Sequence, residues 1–140
     1  MGTGNIFKDY PPRKHIIAID VSREMLRRAA GKVNNYDGNI KLRCENVPSL
    51  SFKDETFDTL FSSWVFCSVA DPVKGLTELR RVLRKDGQLL MLEHVRSRGK
   101  TLGYIMAKLN PLIVRTGVDN IDRDTVENLR RVGFKVKQER

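Results

Sequence analysis

Residues 71–93 read DPVKGLTELRRVLRKDGQLLMLE, a helix pattern that gives way to a strand pattern. Asp71-Pro72 is a helix start, with Asp as N-cap and Pro at the first helical position, where its missing N–H would have had no partner anyway. Val73, Leu76, Leu79, Val82 and Leu83 recur at helical spacing and make one apolar stripe. Asp86-Gly87 ends the helix. Gln88–Glu93 (QLLMLE) then changes to a short apolar run, which predicts a buried strand.

The same alternation extends in both directions. Upstream, His15–Asp20 (HIIAID) predicts a buried strand. Ser22 follows as an N-cap, with Glu24 in the first turn. Met25, Leu26, Ala29 and Val33 then carry a helix that closes over Asn34–Gly38. Ile40–Cys44 is a further strand, Val47–Glu55 has turn chemistry, and Phe57–Ser63 is a strand followed by the apolar Trp64–Val69. Downstream, Thr101–Leu109 predicts a helix stopped before Pro111. A second helix, capped by Asp122 or Asp124 and carrying Val126 and Leu129, stops at Gly133. Phe134–Lys137 predicts a last strand. The order β-α-β-β-α-β-α-α-β implies an α/β, Rossmann-like, mostly parallel sheet with helices on both faces, in a single domain over residues 1–140. Such sheets bind ligands at the carboxyl ends of their strands. That points to Asp20, Glu45–Val47, Ser63–Cys67 and Glu93-His94.

Composition narrows the class. The chain has 140 residues, 40% hydrophobic and 31% charged, with a formal net charge of +9. That is ordinary globular chemistry with a basic excess. No apolar run approaches the roughly 18 residues that span a bilayer, and Met1 is followed by glycines rather than a signal peptide. A cytoplasmic place, peripheral to a membrane at most, is the expectation. Cys44 and Cys67 make no zinc or redox spacing, so no metal is expected and the thiols are read as free and buried. The basic residues are scattered (Arg27, Arg28, Lys32; Arg80, Arg81, Arg84, Lys85; Arg130, Arg131), which favours a solvated surface over a dedicated anionic partner.

Two features carry chemistry. Gly2-Thr3-Gly4-Asn5 is a loop whose glycines would let the backbone approach a ligand, although a free N-terminus would read the same way. Asp20 ends an apolar strand after that loop. A carboxylate there can accept hydrogen bonds from ribose hydroxyls, or can cap the helix beside Ser22.

The segment Leu50–Asp58 (LSFKDETFD) resembles the loop "LPFPDNSFD" of the class I S-adenosylmethionine-dependent methyltransferases. Glu78–Gly87 (ELRRVLRKDG) and the following Glu93-His94 resemble that family's "ELRRVLKPGG" and "EH", and Ile19–Ala29 (IDVSREMLRRA) resembles its "VDxSxxML". The wording is closest to the ubiquinone/menaquinone-biosynthesis branch and its lipid- and thiol-methylating relatives. Phe66–Val69, Glu93–Ser97 and Leu109–Leu112 point to the latter.

The resemblance implies the cofactor S-adenosylmethionine. Gly2, Thr3 and Gly4 would line its methionine moiety, Asp20 its ribose, and Val21 and Met25 its adenine. Asn46 would meet the adenine amino group, with Glu45 or Val47 in its place if the loop shifts by one. Ser63 would lie by the sulfonium, with Trp64 and Cys67 toward the acceptor. His94 is the candidate general base, or else a histidine packed at a strand end. Residues 96–115 are basic and amphipathic. They read as an ordinary packed helix, or as a lid toward a lipid-like substrate or membrane surface.

The family's sheet opens with an apolar strand before the glycine loop, and Met1 stands at the loop's second position. The first strand and the closing antiparallel strand are expected to be missing. Three accounts follow: a piece of a longer protein, a homodimer that exchanges strands, or a sheet that closes up with a damaged site. Weak cofactor binding, or none, is expected of the chain by itself. The leading expectation is methyl transfer to a quinol, phospholipid or thiol. The alternatives are a non-catalytic binding module and, less favoured, an RNA methyltransferase. Against the last, residues 63–66 read SWVF and lack the signatures of the base-modifying branches.

Overall fold

A computed structural model describes residues 1–92 and 125–137. The chain divides into two compact units, Met1–Ser51 and Phe52–Arg140.

In the first unit, strand β1 (His15–Asp20) leads into helix α1 (Arg23–Ala30), and strand β2 (Asn39–Cys44) returns parallel to β1. The register is unbroken from His15 opposite Asn39 to Asp20 opposite Cys44. A parallel return needs a crossover, and α1 supplies it. Ser22 caps α1 as expected, its hydroxyl accepting from the Met25 amide at 3.3 Å. The helix is shorter than the spacing predicts. It ends at Ala30, and Val33 lies in a separate 3-10 turn, Val33–Asn35. Tyr36 accounts for this break. Its buried ring joins the core, while its hydroxyl donates to the Pro11 carbonyl at 2.6 Å and accepts from the Lys14 amide at 3.2 Å. Continuing α1 would have carried the ring away from those partners. The core is Phe7, Ala18, Ala29, Tyr36 and Ile40.

In the second unit, strand β3 (Phe57–Ser63) pairs in parallel with strand β4 (Leu83–Leu92). Helix α2 (Pro72–Val82) lies between them in sequence. Asp71 caps it, accepting from the Lys74 amide at 2.9 Å, with Pro72 in the first turn. Gly75, Leu76, Leu79 and Val82 are its buried face. The predicted helix end at Asp86-Gly87 is corrected to Val82. The loop before β3 takes the last carbonyls of α2: the Glu55 amide donates to Arg81 O at 2.9 Å and the Thr56 amide to Val82 O at 2.8 Å. The helix C-terminus is thereby satisfied without another turn. Leu83 turns extended and pairs with Phe57, and Arg84–Gly87 form an irregularity before Gln88 pairs with Thr59. Gly87 is needed there, since a Cβ would sit 2.8 Å from the Asp58 carbonyl.

Helix α3 (Thr125–Arg131) packs on α2. It closes on Gly133, whose φ is 87°. The Phe134 amide donates to Leu129 O and the Gly133 amide to Arg130 O, both at 2.9 Å, a glycine C-terminal cap. The predicted strand Phe134–Lys137 is not a strand. Its start is held by α2 instead: Arg80 donates to Gly133 O at 2.6 Å and lies over the Phe134 ring. The predicted helix Thr101–Leu109 and segment 96–115 lie outside the described residues.

The strands thus form two parallel pairs, β1–β2 and β3–β4. Among the described residues, neither β1 nor β3 is paired on its second edge. No described helix is long and apolar enough to cross a membrane.

Candidate functional site

The predicted cofactor residues of the first unit gather at the carboxyl end of β1 and β2. Asp20 is the centre. Its Oδ2 accepts from the Gly2 amide at 2.9 Å and lies 3.4 Å from the Met1 amino group, and its Oδ1 accepts from the Ser22 amide at 2.9 Å. The capping reading of Asp20 holds, and the same carboxylate also binds the glycine loop. It steadies the entry to α1 and also faces the glycine loop. The side chain is 17% exposed.

The loop folds back on itself through Phe7. The Phe7 amide donates to Gly4 O at 3.2 Å, and the ring is buried directly beneath Gly4. Gly2 and Gly4 have φ of 61° and 72°, a left-handed conformation that favours glycine. A Cβ on Gly4 would stand 2.7 Å from the Phe7 ring, whereas one on Gly2 would meet nothing within 4 Å. The open side of the loop is therefore at Gly2, beside the carboxylate.

Among the described residues Val21 is the most exposed of the large apolar side chains, at 68%, and Met25 is half-buried in the first turn of α1. The parallel register sets the loop after β2 beside them, and the Glu45 amide donates to the Asp20 carbonyl at 3.2 Å. Glu45 itself is committed to the fold. Its carboxylate accepts from the Ser51 amide at 3.2 Å and from the Ser51 hydroxyl. Asn46 is exposed, with its backbone carbonyl taken by the Ser49 amide, and Val47 is half-buried. Of the three positions considered for adenine, Asn46 is the one whose side chain is turned to solvent.

Lys32 was legible in the sequence only as one of several scattered cations. Its Nζ donates to the Thr3 carbonyl at 3.0 Å and to the Asn5 side-chain oxygen. No local spacing announces a contact between residues 29 positions apart.

In the second unit, Ser63 ends β3 opposite Leu92, and the Trp64 amide donates to Leu92 O at 2.9 Å. Trp64 has a φ of 55°, rare for a bulky residue, and is 48% exposed. The chain then turns, with Phe66 and Cys67 buried. The Cys67 thiol faces the Ser68 hydroxyl at 3.7 Å and is not displayed to solvent, whereas Cys44 is exposed, which corrects the expectation of two buried thiols. His94 lies outside the described residues. Among the described residues no group of three His, Cys, Asp or Glu side chains could hold a metal.

Comparison with known proteins decides the family. Residues 1–91 match the family model described as a methyltransferase domain. The chain belongs to this methyltransferase family. It is 35% identical over 96 residues to a phosphatidylethanolamine N-methyltransferase of Cereibacter sphaeroides, covering 67% of this chain and 47% of that one. It is 35% identical over 101 residues to a ubiquinone/menaquinone biosynthesis C-methyltransferase of Citrifermentans bemidjiense, covering 66% of this chain and 42% of that one. It thus spans less than half the length of these curated relatives. Among solved structures, the [4+2]-cyclase SpnF superposes with a TM-score of 0.75 at 22% identity, covering 98% of this chain and 50% of that one. That likeness carries the fold and not the reaction.

S-adenosylmethionine is the cofactor of the family. The first unit fits it. An ionised carboxylate offers about four lone-pair positions, and Asp20 has three donors around it. Capacity remains for a ribose hydroxyl on the open side of Gly2.

Proposed function

We propose that the chain is part of an S-adenosylmethionine-dependent methyltransferase whose acceptor is a small or lipid-like molecule, a quinol, phospholipid or thiol. The single observation that carries the reading is the Asp20 carboxylate. It ends β1 and holds the Gly2 amide at 2.9 Å, and a Cβ on Gly2 would meet nothing within 4 Å outside its chain neighbours. The branch is supported by relatives that methylate phosphatidylethanolamine and take part in quinone biosynthesis, as their names state.

The cofactor supplies a methyl group activated on a sulfonium, so the protein's share is alignment and exclusion of water. Asp20 accepts from a ribose hydroxyl. The backbone of Gly2-Thr3-Gly4 approaches the methionine moiety, and Val21 and Met25 offer apolar surface to the adenine. Asn46 accepts from the adenine amino group. In the second unit, the end of β3 offers Ser63 and the exposed Trp64. Trp64 is the suited apolar contact, because its indole is half exposed while Cys67 is buried. No step is assigned to His94. Contact with a membrane surface belongs to the same proposal, as the place where a phospholipid or quinol acceptor would be met.

The test is methyl transfer from S-[methyl-³H]adenosylmethionine to a panel of thiols, quinols and phospholipids in vesicles. Labelled product in one acceptor class is expected, and it should vanish with Asp20→Ala. Cofactor binding with no transfer to any acceptor would refute the catalytic reading.

A further inference from the structure

We propose that Lys32 is a positioning residue for the glycine loop, an inference that rests on the cofactor reading above. Lys32 follows α1 directly after Gly31 and is half-buried. Its ammonium donates to the Thr3 carbonyl at 3.0 Å and to the Asn5 side-chain oxygen, and both acceptors belong to the loop Gly2–Asn5. At the other end of the loop, Gly2 donates to Asp20. The loop is therefore held by an anion at Gly2 and by a cation at Thr3 and Asn5.

The need for such a clamp follows from the loop's composition. Two of its four residues are glycines in left-handed conformations, and glycine loses more conformational freedom on ordering than any other residue. The Phe7 ring steadies Gly4 from below, but it offers nothing to the polar groups of Thr3 and Asn5. An ammonium has three donors, and Lys32 gives two of them to the loop. Among the described residues it makes no ion pair, so its bonding is directed at the loop and not at a carboxylate. Through the loop, Lys32 sets the backbone that meets the cofactor without touching the cofactor itself.

The experiment compares wild type, Lys32→Met, Lys32→Arg and Asn5→Ala, with the exposed Lys41→Met as the charge control. NMR titrations follow two ligands, S-adenosylhomocysteine and methylthioadenosine. The second lacks the amino-acid carboxylate. Amide exchange at Gly2 and Phe7 is read without ligand. Lys32→Met should weaken S-adenosylhomocysteine about tenfold, as for a lost charged hydrogen bond, and methylthioadenosine less, since the loop meets the methionine moiety, and should speed exchange at both amides. Asn5→Ala should show part of the effect with the lysine intact, Lys32→Arg should restore part of it, and Lys41→Met should show none. A loss of S-adenosylhomocysteine affinity with exchange at Gly2 and Phe7 unchanged would instead make Lys32 a direct ligand contact and overturn the inference, as would unchanged exchange and affinity. If wild type binds neither ligand, the cofactor reading fails by itself. The ligand-free exchange still decides whether Lys32 holds the loop.

Discussion

The Gly2 amide donates to the Asp20 carboxylate at 2.9 Å, so the residue that ends β1 also anchors the loop after which β1 begins. Its other oxygen accepts from Ser22 at the start of α1. Asp20→Asn keeps the size but replaces one acceptor with an NH2 donor, which must face either the Gly2 or the Ser22 amide. A fall of roughly 10- to 100-fold in S-adenosylhomocysteine affinity is expected, with a loss of about 1–3 kcal/mol in stability. NMR titration and urea unfolding measure the two. Wild-type affinity in this variant would remove Asp20 from the site.

The two loop glycines should differ in a way that φ alone does not predict. Both are left-handed, so an alanine at either costs about 1–2 kcal/mol. At Gly4 the new Cβ also meets the buried Phe7 ring at 2.7 Å, and Phe7 is 1% exposed with nowhere to move. Overpacking adds about 1–3 kcal/mol. Gly4→Ala should therefore unfold at clearly lower urea than Gly2→Ala. Equal midpoints would mean that the Phe7 ring does not fill the space beneath the loop.

Much of this was legible in the sequence, for reasons that particular residues show. β1 and β3 have the predicted bounds, because HIIAID and FDTLFSS are apolar or β-prone runs closed by turn chemistry. Ser22 and Asp71 are local caps, and local signals survive folding. The failures depend on partners distant in sequence. α2 stops at Val82 because the amides of Glu55 and Thr56 take its last carbonyls, and the DG signal at residues 86–87 marks a strand irregularity instead. Phe134–Lys137 alternates like a strand, but the start of the segment is held by Arg80. At the site, Asp20 was readable because it ends a strand. Lys32 was not, because nothing near it in the sequence refers to Thr3.

Tyr10 gives the fold an alkaline limit. Its phenol is partly buried, with its ring centroid 5.9 Å from that of Phe7, and burial raises its pKa above the ordinary 10.0. The unfolded chain thus forms phenolate more readily than the folded one. Any stability linked to this group is complete below about pH 10 and is lost as pH rises through the folded value. Tyr10→Phe keeps the ring and removes the titration. Urea midpoints at about pH 8 and about pH 11 should show wild type losing ground to the variant at the higher pH. A constant difference would show that Tyr10 ionises equally in both states.

Trp64 separates backbone strain from acceptor contact. Its φ of 55° places a bulky residue where an L side chain costs about 1–2 kcal/mol, and the Leu92 carbonyl holds its amide there at 2.9 Å. Replacing it by alanine or glycine removes the same indole, so lost burial is common to the two variants. Glycine relieves the strain and alanine retains it. Glycine also leaves a more flexible unfolded chain, which takes back a part of the gain. Trp64→Gly should therefore be more stable than Trp64→Ala by about 1 kcal/mol, the reverse of their order in ordinary extended backbone. Both should keep the affinity for S-adenosylhomocysteine, since Asp20 and the glycine loop are untouched. Both should lose turnover of an apolar acceptor, because neither restores the indole. If turnover instead followed stability, with glycine recovering what alanine loses, the role of Trp64 would be to shape the turn after β3 and not to meet the acceptor.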